Sequence, residues 1–154
     1  MAKTLLVPTD FSKGSDQAIA TAIRFAKLME ASLQLVHVNV MAAYVLPPPV
    51  ELVSFIPYNA EVLAYIEQRL AQQAESIRTE GVRVETATLA GNPHEEIIKR
   101  AESCGAELIV MGTHGRTGLS HALLGSVAER VVQKAGCPVL VVPPHERRAA
   151  ATTR

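Results

Sequence analysis

A continuous apolar run that ends in a glycine-rich loop decides the fold of this chain: Leu108-Ile109-Val110-Met111-Gly112-Thr113-His114-Gly115. Such a run is typical of a strand that is buried on both faces of a sheet. Both faces are covered when helices connect parallel strands. The stretch therefore indicates an α/β protein built on a parallel sheet.

The same alternation of short apolar runs and segments of helical period extends outward over the chain. The five predicted strands are Leu5 to Val7, Leu33 to Val38, Val82 to Thr88, Leu108 to Met111 and Pro138 to Val142. Helical segments separate them. The first helix can be capped by Ser12 or Ser15, and the third by Asn92, with Pro93 at its first position.

Strand composition predicts the order of the strands. The first and fourth strands are wholly apolar, as central strands should be. The third alternates Val82 and Val84 with Arg83 and Glu85, and the fifth opens with Pro138, so both are predicted at edges. We therefore expect a Rossmann-like, three-layer α/β/α sandwich with an open five-stranded parallel sheet in the order 3-2-1-4-5.

The length of the chain fits one domain. Of its 154 residues, we assign 1–143 to the domain and expect 144–154 to form a disordered C-terminal tail. Residues 41–57 form a long connection containing Pro47-Pro48-Pro49. Long connections are usually functional or disordered, and a lid, a docking segment and a mobile loop all stay open here.

The charge balance bears on the class of partner. The 15 basic residues equal the 15 acidic ones, and no basic run in the body of the chain offers an electrostatic footprint for nucleic acid or a membrane surface. The N-terminal apolar run is short and broken by Pro8, unlike a signal peptide. Cys104 and Cys137 form no CxxC pair, which favours two reduced thiols. We expect a cytoplasmic protein.

Two polar segments leave the strands between which the predicted order reverses. Ligands of open parallel sheets bind outside the carboxyl ends of the strands at this position. Pro8-Thr9-Asp10 follows the first strand, and Gly112 to Gly115 follows the fourth. Asp10 could bind a ribose hydroxyl or a Mg²⁺ beside phosphates, and His114 and Arg116 could neutralise phosphate charge.

The glycines after the fourth strand have a spacing suited to phosphate binding. Gly112, Gly115 and Gly125 allow a ligand to approach the backbone closely, and Ser126 stands at a helix start, where free N–H groups favour an anion. Alternatively, the glycines only form turns and Ser126 only caps the helix. Other templates fail, since the chain has neither a P-loop nor a GxGxxG motif.

Several motifs occur in the order and at the spacing of a known family. They are Pro8-Thr9-Asp10-Phe11-Ser12, His37-Val38, Gly91-Asn92-Pro93, Leu108 to Arg116, Gly125-Ser126-Val127-Ala128-Glu129 and Cys137 to Val142. In these motifs, the chain from Lys3 to Pro143 resembles the universal stress proteins, whose fold is adenine nucleotide alpha hydrolase-like. The complete motif Gly-x2-Gly-x9-Gly-Ser resembles the ATP-binding branch of that family.

The resemblance implies a set of ATP contacts. It implies that Asp10 and Gly112 hold the ribose, and that Val38 and Met111 contact the adenine. It assigns the phosphates to Gly115, Gly125, Ser126 and the Val127 N–H, often with Mg²⁺ or Mn²⁺. The remaining binding residues expected in the same segments are Pro8, Thr9 and Arg116.

The resemblance also implies a homodimer joined through the last strand. The apolar composition of Val139, Leu140, Val141 and Val142 independently indicates such an edge-to-edge contact. We expect a nucleotide-dependent binding module or switch of the stress response, with a protein partner that the sequence does not identify. The alternatives are a slow ATPase or autokinase and a nucleotide-free dimeric scaffold.

Overall fold

The computed structural model describes residues 3–40, 43–45, 53–55, 60–114 and 124–144. Its strands are β1 (Thr4–Pro8), β2 (Ser32–Asn39), β3 (Ala43–Val45), β4 (Val53–Phe55), β5 (Val84–Ala90), β6 (Leu108–Gly112) and β7 (Val139–Val142). Its helices are α1 (Lys13–Met29), α2 (Ala60–Thr79), α3 (Pro93–Ser103) and α4 (Ser126–Lys134). Apart from β3 and β4, strands and helices alternate as predicted.

Five strands form one parallel sheet in the order β5-β2-β1-β6-β7. Numbered among themselves, these strands have the order 3-2-1-4-5, so the predicted topology is confirmed. The central position of β1 follows from its sequence, since Leu5, Leu6 and Val7 are fully buried. The alternating strand β5 and the proline-led strand β7 lie at the two edges.

Helices cover both faces of the sheet. Successive side chains of a strand point to opposite faces, and they contribute to two separate clusters. On one face, Leu5 and Leu35 pack with the apolar stripes of α1 and α2. On the other, Leu6 and Val36 pack with those of α3 and α4. The predicted three-layer arrangement is therefore present.

The ends of the helices follow the signals in the sequence. Ser12 is the N-cap of α1, and its Oγ accepts a hydrogen bond from the Ser15 N–H at 3.3 Å. Asn92 is the N-cap of α3, with Pro93 at the first position, although its side chain makes no capping hydrogen bond. Gly81 follows α2 with φ of 80°, a left-handed conformation that glycine adopts without steric cost.

Part of the connection between β2 and α2 has regular structure. Strands β3 and β4 pair antiparallel within residues 41–57, where the sequence predicted only a long connection. The triple proline and residues 145–154 lie outside the described residues, so the alternatives for that connection and the predicted tail stay predictions. No described helix has the length and apolar character needed to cross a membrane.

Candidate functional site

The sheet opens between β1 and β6, the strands at which the strand order reverses. In the described chain, their pairing joins Leu5 with Leu108 and Leu6 with Ile109. The Thr9 N–H donates to the Val36 carbonyl of β2 at 2.8 Å, so by alternation the neighbouring residue Pro8 faces β6. Since proline has no N–H, Pro8 cannot extend the ladder. The ends of β1 and β6 beyond Leu6 and Ile109 are therefore not paired with each other, and we call the space between these two ends the crevice.

The loop between β1 and α1 is held by hydrogen bonds of its own side chains. The buried Thr9 accepts from the Phe11 N–H through Oγ1 at 3.1 Å and donates to Ser15 Oγ at 3.2 Å. The half-buried Asp10 accepts from the Ser12 N–H through Oδ1 at 3.0 Å. Thr9 thus shapes the loop from within, and the carboxylate of Asp10 is fixed beside the crevice.

The backbone of Val38 faces the same crevice. Because the Val36 carbonyl pairs toward β1, alternation directs the Val38 N–H and C=O to that side as well. They lie past the last paired residue of β1, which is Pro8. The Thr9 carbonyl, the next acceptor along this ladder, accepts from His37 Nδ1 at 2.8 Å. The backbone of Val38 is therefore directed toward the position where a ligand would lie.

Two glycines bring α1 against the end of β6. A Cβ on Gly112 would lie 3.1 Å from the carbonyl carbon and oxygen of Gly14, and a Cβ on Gly14 would lie 3.1 Å from the His114 carbonyl oxygen. Both distances are tighter than ordinary contacts. The pair places the β1–α1 loop next to the β6 loop. Sequence reasoning missed Gly14; the signal was a glycine in the first turn of a helix, where it is unfavourable.

The start of α4 closes the other side of the site. The Gly125 N–H donates to the Thr113 carbonyl at 2.8 Å, and Gly125 is the N-cap of α4, without a side chain to cap the helix. The exposed Ser126 and half-buried Val127 begin the helix. First-turn N–H groups without a capping side chain can bind an anion.

The other predicted site residues are Met111, Gly115, Arg116 and His114, and the structure describes only some of them. Met111 is buried in the cluster beneath α3 and α4 and pairs with Val141 of β7. Gly115 and Arg116 lie outside the described residues. His114 Nδ1 lies 3.0 Å from Thr113 Oγ1. Its Nε2 is buried and, within the described part of the chain, has no hydrogen-bond partner.

Metal ligands are scarce at this site. The described residues contain no group of three or more His, Cys, Asp or Glu side chains that could hold a metal ion. Asp10 is the site carboxylate that sequence analysis singled out, and it already supports the loop.

Comparison with known proteins identifies the family. The profile of the Universal stress protein family matches residues 1–143. The chain belongs to the universal stress protein family. It is 41% identical over 144 residues to Universal stress protein MJ0531 of Methanocaldococcus jannaschii. The alignment covers 91% of this chain and 81% of that protein.

Solved structures of other universal stress proteins share this fold. The structure of MJ0577 from the same organism has a TM-score of 0.76 and 30% identity, and the match covers 95% of this chain and 99% of that one. A universal stress protein in complex with cAMP has a TM-score of 0.69 and 23% identity, and the match covers 92% of this chain and 97% of that one. The universal stress protein from Archaeoglobus fulgidus in complex with dAMP has a TM-score of 0.65 and 24% identity, and the match again covers 92% of this chain and 97% of that one.

Proposed function

We propose that this protein binds ATP in the crevice between β1 and β6 and acts as a nucleotide-dependent binding module in the response to stress. One observation carries the proposal. The crevice lies between a strand backbone directed outward at Val38 and a helix start without a capping side chain at Gly125. The first suits the edge of a base, and the second suits an anion.

The adenosine half of the ligand is assigned to the β1 and β2 side. The N–H and C=O of Val38 offer one donor and one acceptor, which match the exocyclic amine and ring nitrogens of adenine. The Asp10 carboxylate accepts from ribose hydroxyls, and the family motif assigns the Gly112 backbone to the same sugar. The backbone of Pro8, Thr9 and Met111 completes the walls.

The phosphate half is assigned to the β6 loop and the start of α4. The Ser126 hydroxyl and the N–H groups of Ser126 and Val127 donate to phosphate oxygens, and the helix dipole adds to their attraction. Gly115 and Arg116 enter this assignment from the sequence motif alone. Mg²⁺ or Mn²⁺ would be held by the phosphates themselves, with Asp10 as the nearest protein carboxylate assigned to the site.

The ligands of structural neighbours support an adenine nucleotide. The two complexes contain cAMP and dAMP, which share the adenine base and carry one phosphate. A site that combines a base-reading strand with a helix start can accept such ligands and longer phosphate chains. The triphosphate is our choice because the complete glycine motif resembles that of the ATP-binding branch.

A nucleotide-free scaffold is the second candidate, and one observation favours it. Gly112 and Gly125 each have a packing reason to be glycine, since a Cβ would meet Gly14 or the Thr113 carbonyl. The glycine motif would then persist without a ligand. A slow ATPase or autokinase has no comparable support, because Asp10 is the one carboxylate assigned to the site and the proposal assigns it to the ribose.

The proposal includes a location and an assembly. Two free cysteines, Cys104 and Cys137, are consistent with the reducing cytoplasm. A homodimer joined through β7 would place two nucleotide sites in one particle. Changes in loop conformation on binding ATP could then alter the surface that a protein partner recognises.

The test is to identify what the protein carries. We would denature purified protein and analyse the released small molecules by chromatography. We expect an adenine nucleotide, depleted in Asp10→Asn, which keeps the Oδ1 acceptor for the Ser12 N–H but loses the charge. Ser76→Ala on the exposed side of α2 serves as control. Folded protein without nucleotide, and without affinity for added ATP, would favour the scaffold, and sustained phosphate release would favour the enzyme.

A further inference from the structure

Three side chains from different elements form a column beside the crevice. The Phe11 ring stacks on the His37 ring, with centroids 4.7 Å apart and planes inclined by 24°. The guanidinium of Arg69, on α2, also lies over the Phe11 ring, with its central carbon 5.3 Å from the Phe11 ring centroid. Arg69 also lies 6.0 Å from the ring centroid of Tyr65. The column thus connects α2, the β1–α1 loop and the end of β2.

Phe11 occupies an unfavourable backbone conformation within this column. Its φ is 64°, in the left-handed region that bulky residues rarely adopt. Glycine or asparagine would satisfy the turn at lower cost, so the backbone alone does not account for phenylalanine. The stacking contacts of the ring offset the strain. Residues held in such conformations concentrate at functional sites.

The column adjoins the two groups assigned to adenosine. Phe11 lies directly after Asp10, and the two hydrogen bonds that close this turn are Phe11 N–H to Thr9 Oγ1 and Ser12 N–H to Asp10 Oδ1. On the other side, His37 lies directly before Val38. Because a carbonyl only accepts, His37 Nδ1 carries the proton that it donates to the Thr9 carbonyl. The Thr9 carbonyl is the acceptor with which the Val38 N–H would continue the ladder, and here it accepts from the His37 ring.

We propose that Phe11, in contact with His37 and Arg69, is the positioning residue of the nucleotide site: it orients the Asp10 carboxylate and keeps the Val38 backbone open to the base. The inference rests on the proposed nucleotide function. It assigns the column no contact with phosphate, because the residues assigned to the phosphates lie on the β6 loop and α4. Removing the ring should therefore weaken adenosine recognition selectively.

The experiment compares two ligands on a set of matched variants. Calorimetric titrations would measure AMP and inorganic tripolyphosphate binding to wild type, Phe11→Leu, Phe11→Tyr, Arg69→Met and the exposed α1 control Arg24→Met. We expect about 10-fold weaker AMP binding in Phe11→Leu and about 3-fold weaker binding in Arg69→Met, since a stacked aromatic pair contributes more than one partly exposed cation–π contact. Phe11→Tyr keeps the stack and should bind AMP within about 2-fold of wild type.

The possible outcomes distinguish a positioning role of Phe11 from a purely structural role of its ring, and both from a failure of the proposed nucleotide function. Tripolyphosphate affinity unchanged in Phe11→Leu, together with the loss for AMP, supports the positioning role. Equal losses for both ligands would mean that the ring only maintains the fold and would overturn the inference. Wild-type AMP affinity in Phe11→Leu would also overturn it while leaving the nucleotide site intact. Failure of the wild-type protein to bind AMP or ATP would instead reject the proposed function.

Discussion

At the scale of single residues, the glycines after β6 have a packing role as well as a proposed binding role. A Cβ on Gly125 would lie 2.8 Å from the Thr113 carbonyl oxygen, which is inside the closest contact that real Cβ atoms make. The same carbonyl accepts the Gly125 N–H, so the backbone cannot easily move away. A substitution here therefore changes the loop whether or not a ligand binds.

We predict that Gly125→Ala lowers the free energy of unfolding by about 1–3 kcal/mol in nucleotide-free protein, the usual cost of forcing extra atoms into a packed site. Gly136→Ala is the matched control, because a Cβ there has no heavy atom within 4 Å and its φ is outside the left-handed region. Chemical denaturation measures both. Equal stabilities of the two variants would mean that the packing role is absent.

The second residue-scale prediction concerns Cys137. Burial, followed by the neighbouring Cys104 thiol, raises the pKa of Cys137. Since the thiolate is the reactive form, we expect iodoacetamide to label Cys137 more slowly in native protein than in urea-unfolded protein near pH 8. A raised folded-state pKa also means that this thiol's contribution to stability is complete below the unfolded pKa and is lost as pH rises through the folded one.

Mass spectrometry of timed samples would give both labelling rates at each pH. The ratio of native to unfolded rate should increase as the pH approaches the folded-state pKa. Native Cys137 labelled as fast as in the unfolded chain would contradict the burial effect.

At the scale of elements, patterns of neighbouring residues predicted the features that depend on neighbouring residues, such as strand burial and helix starts. The apolar runs of β1 and β6 predicted central strands, and Asn92-Pro93 predicted the start of α3, because burial on both faces and helix initiation leave their mark on neighbouring residues. The column of Phe11, His37 and Arg69 could not be predicted in this way. Its members are distant in the sequence and meet only once β2 and α2 are placed around the β1–α1 loop.

The N-cap of α1 gives an element-scale prediction. Ser12 and Ser15 were equal candidates from the sequence, and the structure places Ser12 at the cap, with its Oγ accepting the Ser15 N–H. Ser12→Ala should lower the free energy of unfolding by about 1 kcal/mol, since a first-turn N–H loses its partner. Ser76→Ala, at an exposed position within α2, should change it by less than about 0.5 kcal/mol. Urea denaturation of both variants measures the difference, and equal values would contradict the capping role.

At the scale of the whole molecule, the sheet has two edges of different character. The edge strand β7 is apolar throughout, whereas β5 exposes Glu85, Thr86 and Thr88. The Ile109 N–H donates to the Pro138 carbonyl, so alternation directs the N–H groups of Val139 and Val141 away from β6. No described strand pairs with that side of β7. An apolar, unpaired edge favours association with a second copy.

We predict that the protein is a dimer and that Val141→Pro converts it to a monomer. The substitution removes an outward N–H and leaves the ladder with β6 intact, as proline at an edge allows. Thr86→Pro is the matched control, because the Leu33 N–H bonds the Arg83 carbonyl and alternation then turns Thr86 to the outer side of β5. Sedimentation velocity at micromolar concentration measures all three proteins. A wild-type monomer, or dissociation caused by Thr86→Pro alone, would contradict the β7 interface.

The central claim is that the crevice between β1 and β6 binds ATP, and calorimetric titration of nucleotide-stripped protein tests it most directly. We predict saturable binding of about one ATP per chain. The Asp10→Asn variant, whose turn is preserved, should bind about 10-fold more weakly, as expected when a charge-assisted hydrogen bond is lost. Correctly folded wild-type protein that gives no binding signal at millimolar ATP would contradict the claim and favour the scaffold.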